Sequence, residues 1–370
     1  MFLLTIANQL KLLLNTPTGN DIWIYWDYAN KMKSGLFPYV GFHPEYPPLS
    51  FFFIYVPYLI NKDPVFYQFL YGLEVLVAIC IGSYFIWALA KDFSKVWLWL
   101  LLLMIMQASK YHLVFGRFDI FVAVFTLIAF YFFKKKKEDI GWFFLFLATM
   151  TKIYPLVLLP ALLYKARYKV LVLWFAIPLV ITNTLLLLVT HGQYNDFLLK
   201  QLQRPVELES IESSFLLGLH LLNNFHLSPV YELNSWGLSV PTVTHHLLQV
   251  IIFMLLCIPI AVARKRLLSY SPIRLVVISI LFFMLLNSVL SPQYFIWLIP
   301  FIPFLAVPEI ILSIIICAIT AWFFTFWDNG VSQLNNWILF LIVIRNILIF
   351  TFYYLIVLKP KWMKRTLKTF

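Results

Sequence analysis

Apolar runs of close to twenty residues recur along the whole chain, separated by short polar connectors, and nowhere do apolar and polar residues alternate as in a strand. A run of that length crosses a hydrocarbon core of about 30 Å at 1.5 Å per residue. Lipid offers no hydrogen bonds, so the backbone must pair within the segment and the runs read as helices. The pattern predicts spans at 64–90, 94–109, 113–133, 170–190, 241–263, 272–290, 294–308, 309–326 and 337–358. Residues 140–164 have basic connectors on both sides, so they must enter and return, as two short helices meeting near Lys152 to Pro155. Pro47 to Ile60 is apolar but short and punctuated by prolines, as expected of a half-inserted helix buried against protein. MFLLTIANQLKLLL at the start reads as a short or interfacial first helix, or as a truncated start. The expectation is an all-α polytopic membrane bundle of about eleven or twelve crossings, a single integral membrane domain over 1–370. Two loops, 15–47 and 191–241, are long enough to be functional, and their aromatics and acids argue for order.

Composition agrees with the membrane class: 62% of residues are hydrophobic, 19% aromatic and 12% charged, against roughly 25% charged in soluble domains. The net charge of +12 would suggest nucleic acid in a soluble protein, but its placement excludes that partner. Lysine and arginine gather in KDFSK from Lys91, KKKK from Lys134, YKARYK from Tyr164, ARKR from Ala263 and KPKWMKR from Lys359. That is the positive-inside pattern and assigns these connectors to the cytosol. Most acids, among them Asp21, Asp27, Glu45, Asp119, Glu207, Glu209, Glu212 and Asp328, fall in the intervening stretches, so any chemistry lies on the non-cytosolic side. Cys80, Cys257 and Cys317 sit inside apolar runs without ligand spacing and read as small core residues.

Phosphate-binding glycine loops, nucleophile elbows, HExxH and CxxC are all missing from the sequence. His245 and His246 are adjacent and cannot share a helix face, so no metal site is expected. What remains is a set of acids and bases at one membrane face. Between Asp21 and Pro38 the spacing predicts a short helix with Tyr25 and Ala29 on one side and Gly35 ending it. Asp21 and Asp27 are then either helix caps at a wet interface, or one of them is a general base. The bland alternative for Arg117 is an ion pair with Asp119, for Lys152 snorkelling to the interface or pairing with Asp119, for Arg204 an ion pair with Glu207, and for Glu45 a solvated loop position. Glu74 and Arg345 lie within predicted spans and read as a mutually neutralising pair.

A series of motifs carries a resemblance. Asp21-x3-Tyr25-x3-Ala29, then Gly35-x2-Pro38-Tyr39 and Tyr46-Pro47-Pro48-Leu49, are followed by GRFD at 116–119, KIYP at 152–155, R-x5-S-x3-S from Arg204 to Ser214, and SPQY at 291–294. Together they resemble GT-C glycosyltransferases, in particular the family 87 polyprenol-phosphate-mannose-dependent mannosyltransferases. They are also similar to the catalytic subunit of the first mannosyltransferase of GPI-anchor synthesis. The resemblance implies a GT-C type bundle with non-cytosolic catalytic loops, and inverting transfer of a hexose, mannose first, from a polyprenyl-phosphate sugar to a lipid-linked or cell-envelope glycan. It implies Asp21 as the base with Asp27 as second choice, and Arg117, Lys152 and Arg204 on the donor phosphate. Tyr25, Tyr39, Glu45, Tyr46, Asp119, Gln293 and Tyr294 are the implied substrate contacts. No cofactor or metal is expected beyond the lipid-linked donor. The implied partners are the bilayer, the donor and a glycan or glycolipid acceptor, in the plasma membrane or, in a eukaryote, the endoplasmic reticulum. A transporter or flippase of lipid-linked glycans is the alternative, but it predicts polar, broken helices at the midplane and an internal repeat.

Overall fold

Residues 21–163, 166–222, 226–232, 235–267, 269–327 and 334–358 are described by a computed structural model. The predicted first helix at 1–14, Asp328 and the connector from Lys359 lie outside them. The protein is an all-α polytopic membrane protein with one small sheet. Among the described residues, five helices are long and apolar enough to cross a bilayer: Pro64–Ala90, Tyr168–Val189, Thr242–Leu267, Val307–Thr325 and Asn336–Leu358. The described residues form two compact units, one within Met1–Val96, Tyr111–Leu156 and Lys165–Leu202, the other within Trp97–Lys110, Val157–Tyr164 and Gln203–Phe370.

The first unit opens with α1 (Ile22–Lys33), whose Ile22, Tyr25 and Ala29 are buried on one side, as the spacing predicts. Gly35 stops it with φ +89°, a left-handed conformation that costs a residue without Cβ little. The segment expected to be half-inserted forms α2 (Ser50–Ile60), packed on α1. Next, α3 (Pro64–Ala90) begins at an N-cap where the Asp63 carboxylate accepts from the N–H groups of Val65 and Phe66, both at 3.0 Å. Pro64 follows as the first helical residue, where its missing N–H costs nothing. After α4 (Phe93–Gln107), which runs into the second unit, come α5 (Asp119–Lys134) and α6 (Glu138–Thr151), packed against each other. The expected span at 113–133 is therefore shorter: residues 111–118 are not helical. Leu113, Val114 and Phe115 are apolar because protein buries them.

Basic connectors of this unit meet at one end. Lys134 Nζ donates to the carbonyl of Leu89 at 3.4 Å, and the Arg167 N–H to Glu138 Oε2 at 2.9 Å. Asp119 starts the 16-residue α5, so it stands about 24 Å from that end at 1.5 Å per residue. The long span α8 (Tyr168–Val189) contains a π turn over Val172–Ala176 just before Pro178. A proline lacks an N–H to give the preceding turn, and a π turn absorbs the mismatch. The unit closes with α9 (Asp196–Gln203).

In the second unit, short α7 (Leu159–Leu163) precedes α10 (Ile211–Leu221), α11 (Thr242–Leu267), α12 (Pro272–Leu286), α13 (Val307–Thr325) and α14 (Asn336–Leu358). The described residues of 191–241 carry α9, which belongs to the first unit, and then α10 and an antiparallel sheet of β1 (Val206–Glu207), β2 (Pro229–Glu232) and β3 (Ser235–Leu238) in the order β1-β3-β2. The predicted span at 294–308 is not a regular helix but 3₁₀ turns at Pro292–Trp297 and Ile302–Phe304. Pro292, Pro300 and Pro303 withhold the N–H groups an α-helix needs. Phe295, Ile296, Leu298, Ile299, Phe301 and Ile302 are fully enclosed, the condition under which irregular backbone is tolerated at membrane depth.

Candidate active site

In the first unit the turn Gly116-Arg117-Phe118-Asp119 leads into α5 and sets a cation and an acid on either side of a phenyl ring. Arg117 Nη1 pairs with Asp21 Oδ2. Asp119 Oδ1 accepts from Lys152 Nζ at 2.7 Å. Lys152 reaches it because α6 ends at Thr151 and Lys152 is extended, φ −157° and ψ 142°, starting the KIYP turn. Asp21 stands at the N-cap of α1 with helical dihedrals, φ −72° and ψ −6°, and its side chain makes no cap hydrogen bond. It faces Arg117 instead, with the Tyr25 hydroxyl at 3.5 Å, the outer limit of a hydrogen bond.

Beneath the charges lies an aromatic floor. The Phe118 ring is edge-on to Tyr46 at 4.8 Å and tilted to Tyr25 at 5.8 Å, and Lys152 Nζ stands 5.2 Å over it. Tyr25 is fully enclosed, and burial, with Tyr46, Tyr71 and Asp119 close by, pushes its phenol well above the usual range. It therefore stays a protonated donor toward Asp21. The Asp119 side chain is 2% exposed, whereas those of Asp21 and Arg117 are 19% and 14% exposed. Two carboxylates and two cations thus form one group, in which Asp21, Arg117 and Lys152 are partly exposed and Asp119 is nearly sealed.

Other predicted contacts are placed differently. Asp27 lies on the exposed face of α1 and pairs with Lys31 at 2.6 Å. Tyr39 is buried with φ +71°, and its hydroxyl donates to the Tyr46 carbonyl at 2.7 Å, so it shapes the loop under the site. Burial raises its phenol pKa, and pushes that of Tyr194, packed edge-on to it at 5.0 Å, up to about 12. Glu45 is half-buried, and its carbonyl accepts from Gln201 Nε2 at 3.4 Å. An apolar cavity of about 290 Å³ opens beside this loop, lined by Leu36, Phe37, Tyr39, Phe51 and Leu186 among others.

Arg204, Gln293 and Tyr294 belong to the second unit. Arg204 Nη1 lies 3.5 Å from Glu207 Oε1, the ion pair that was the alternative to its expected phosphate contact. Glu207 also accepts from Ser235 Oγ at 2.9 Å and faces Ser291 Oγ at 3.3 Å. Burial pushes its carboxyl above the usual range, with Arg204 and the two hydroxyls acting against that. Gln293 and Tyr294 are buried, Tyr294 stacked on Trp297 at 4.0 Å. Arg345 Nη2 donates to the Glu209 carbonyl at 3.2 Å, and Asn346 Nδ2 to the carbonyls of Glu209 and Ser210 at 2.8 and 2.9 Å. These hold the R-x5-S turn onto α14. Sequence reasoning missed Phe118 as the floor, although it sits inside GRFD. It also missed the buried Glu212, bonded to His245 Nδ1 at 2.8 Å and Gln249 Nε2 at 2.8 Å, which spacing alone could not reveal. Among the described residues, no three or more His, Cys, Asp or Glu are grouped to hold a metal ion.

The family model of glycosyltransferase family 87 matches residues 42–292. That range holds Arg117, Asp119, Lys152 and Arg204, and begins after Asp21. No curated protein matches the chain.

Proposed function

The chain belongs to glycosyltransferase family 87, and from that membership we propose that it moves a hexose, mannose first, from a polyprenyl-phosphate sugar to a lipid-linked or cell-envelope glycan on the non-cytosolic face, with Asp21 as general base. It is a multi-pass membrane glycosyltransferase. The observation that carries the finer reading is the Asp21 carboxylate, which caps no helix and stands with Arg117 in reach of solvent. Lys152 and Asp119 complete the group.

A lipid phosphate is already a good leaving group, so one carboxylate suffices where a glycosidase needs two. Asp21 takes the proton of the acceptor hydroxyl, whose oxygen bonds the anomeric carbon while the bond from that carbon to the phosphate oxygen breaks. The phosphate leaves with the electron pair, and inversion follows from the single displacement. Arg117 and Lys152 neutralise the charge that develops on it. Tyr25 and Tyr46 border the aromatic floor on which a sugar ring can rest. Arg204, held by Glu207 in the second unit, retains its assignment as a phosphate ligand as a separate proposal.

The test is transfer of radiolabelled sugar from polyprenol-phosphate mannose and polyprenol-phosphate glucose by membranes carrying wild type, Asp21→Asn or Asp27→Asn. Asp21→Asn is expected to lose about 10² to 10⁴-fold, and Asp27→Asn to stay within a few-fold of wild type because its partner is an exposed lysine. A chelator is expected to leave transfer unchanged. Transfer that survives Asp21→Asn removes Asp21 as the base.

A further inference from the structure

We infer that Arg117 is a shared cation, exchanged between the carboxylate of Asp21 and the phosphate of the lipid-borne donor as the proton moves. The inference rests on the proposed reaction and adds to it the timing of the phosphate contact. It comes from the difference between the two carboxylates flanking Phe118. The Asp119 side chain is 2% exposed and bonded to Lys152 at 2.7 Å, so drawing that ammonium away takes a cation from a buried charge. The Asp21 side chain is 19% exposed, so the guanidinium of Arg117 can turn to an approaching anion while water reaches the carboxylate it leaves. A guanidinium carries five N–H donors in a planar fork, enough to engage a second oxyanion before releasing the first.

Charge balance gives the exchange its direction. Before transfer Asp21 carries one negative charge and the donor phosphodiester one. Asp21 then accepts the acceptor's proton and becomes neutral, while the departing phosphate monoester gains the second charge. The negative charge disappears from one side of Arg117 as it appears on the other, so the cation follows it without a net change of charge in the group. In the empty site the guanidinium of Arg117 lies against the Asp21 carboxylate. As the second charge develops on the departing phosphate the guanidinium is drawn to it, and Asp21 is left to keep the proton.

The experiment is carbodiimide-and-amine labelling of Asp21 in the purified full-length protein, followed against pH by mass spectrometry with and without decyl phosphate. Carbodiimide reacts with the protonated carboxyl, so the labelling midpoint reports its titration. In the wild type decyl phosphate is expected to raise the midpoint by about one to three pH units, the effect of losing one adjacent cation, and decyl glucoside is expected not to move it. In Arg117→Ala the midpoint is expected to be raised already and to stay put when decyl phosphate is added; Arg117→Lys, which keeps the charge without the fork, should show a smaller rise than wild type. Thermal unfolding of each variant identifies any that fails to fold, and Arg117→Lys then carries the comparison. A wild-type midpoint that decyl phosphate leaves unmoved, or one that moves equally in Arg117→Ala, overturns the exchange. Sugar transfer without a labelling shift would leave the proposed reaction standing and remove the exchange; a labelling shift without sugar transfer would remove the reaction and with it the exchange, leaving Arg117 only as a phosphate-responsive partner of Asp21.

Discussion

Lys152 shows how much of the site a single residue's position can carry. It follows the last helical residue of α6, its extended backbone turns the side chain toward the start of α5, and its ammonium bonds the nearly sealed Asp119. Lys152→Met takes a cation from that buried carboxylate, which costs about 3–5 kcal/mol. Adding Asp119→Leu removes the buried charge itself, so thermal stability in detergent is expected to recover in the double variant. Donor KM is expected to remain raised, because no apolar change restores a cation for the phosphate. A double variant that recovers both stability and donor KM would reduce the pair to a structural one. The Lys152–Asp119 contact was one of the alternatives open in the sequence, because KIYP and GRFD each supplied one charge. The Asp21–Arg117 contact was not legible, since nothing in spacing brings residues 96 positions apart together. Phe118 was invisible for another reason: in a chain with 37 phenylalanines, one ring under an ion pair has no signature of its own.

Among the elements, α1 was read from the sequence almost to its ends, because Tyr25, Ala29 and Gly35 obey local rules of periodicity and termination. The sheet of the second unit was not. Its strands are two to four residues long and draw their order from pairings across the chain, Val206 with Leu238 and Val230 with Gly237. Gly237 is there for closeness: a Cβ would lie 2.8 Å from the Val206 carbonyl oxygen and 2.8 Å from Pro205 Cβ. Backbone and a proline ring cannot swing aside as a flexible side chain can. Gly237→Ala is therefore expected to push β1 from β3 and to cost about 1–3 kcal/mol, read as a lower melting temperature. Because β1 carries Glu207, with Arg204 just before it, faster hydrogen exchange should be confined to the 204–210 turn and β3. Unchanged exchange there would mean the strands absorb the methyl.

Over the whole molecule, hydropathy revealed the five long spans but misjudged crossings that protein, not lipid, surrounds. Residues 287–306 are the clearest case, and a buried ion pair fixes their path. Arg274, at the start of α12, donates from Nη2 to Glu309 Oε1 at 2.7 Å and from Nη1 to the Ile356 carbonyl at 2.6 Å. Glu309 lies in the first turn of α13 and Ile356 near the end of α14, so α12 and α13 start at the same end of the unit. The chain leaves that end along the 15 residues of α12, about 22 Å, and must return through 287–306 before α13 begins. The irregular, proline-broken segment is therefore expected to cross the membrane inside a sleeve of protein. The expected outcome is specific. With Cys80, Cys257 and Cys317 replaced, single cysteines at the exposed positions Ser269 and Val307 should react with an impermeant maleimide from the same side. That side should be cytosolic, because the Arg264-Lys265-Arg266 cluster ends α11 just before Ser269. Reaction of the two from opposite sides would mean that 287–306 does not cross, and that Arg274 and Glu309 do not meet in the bilayer-embedded protein.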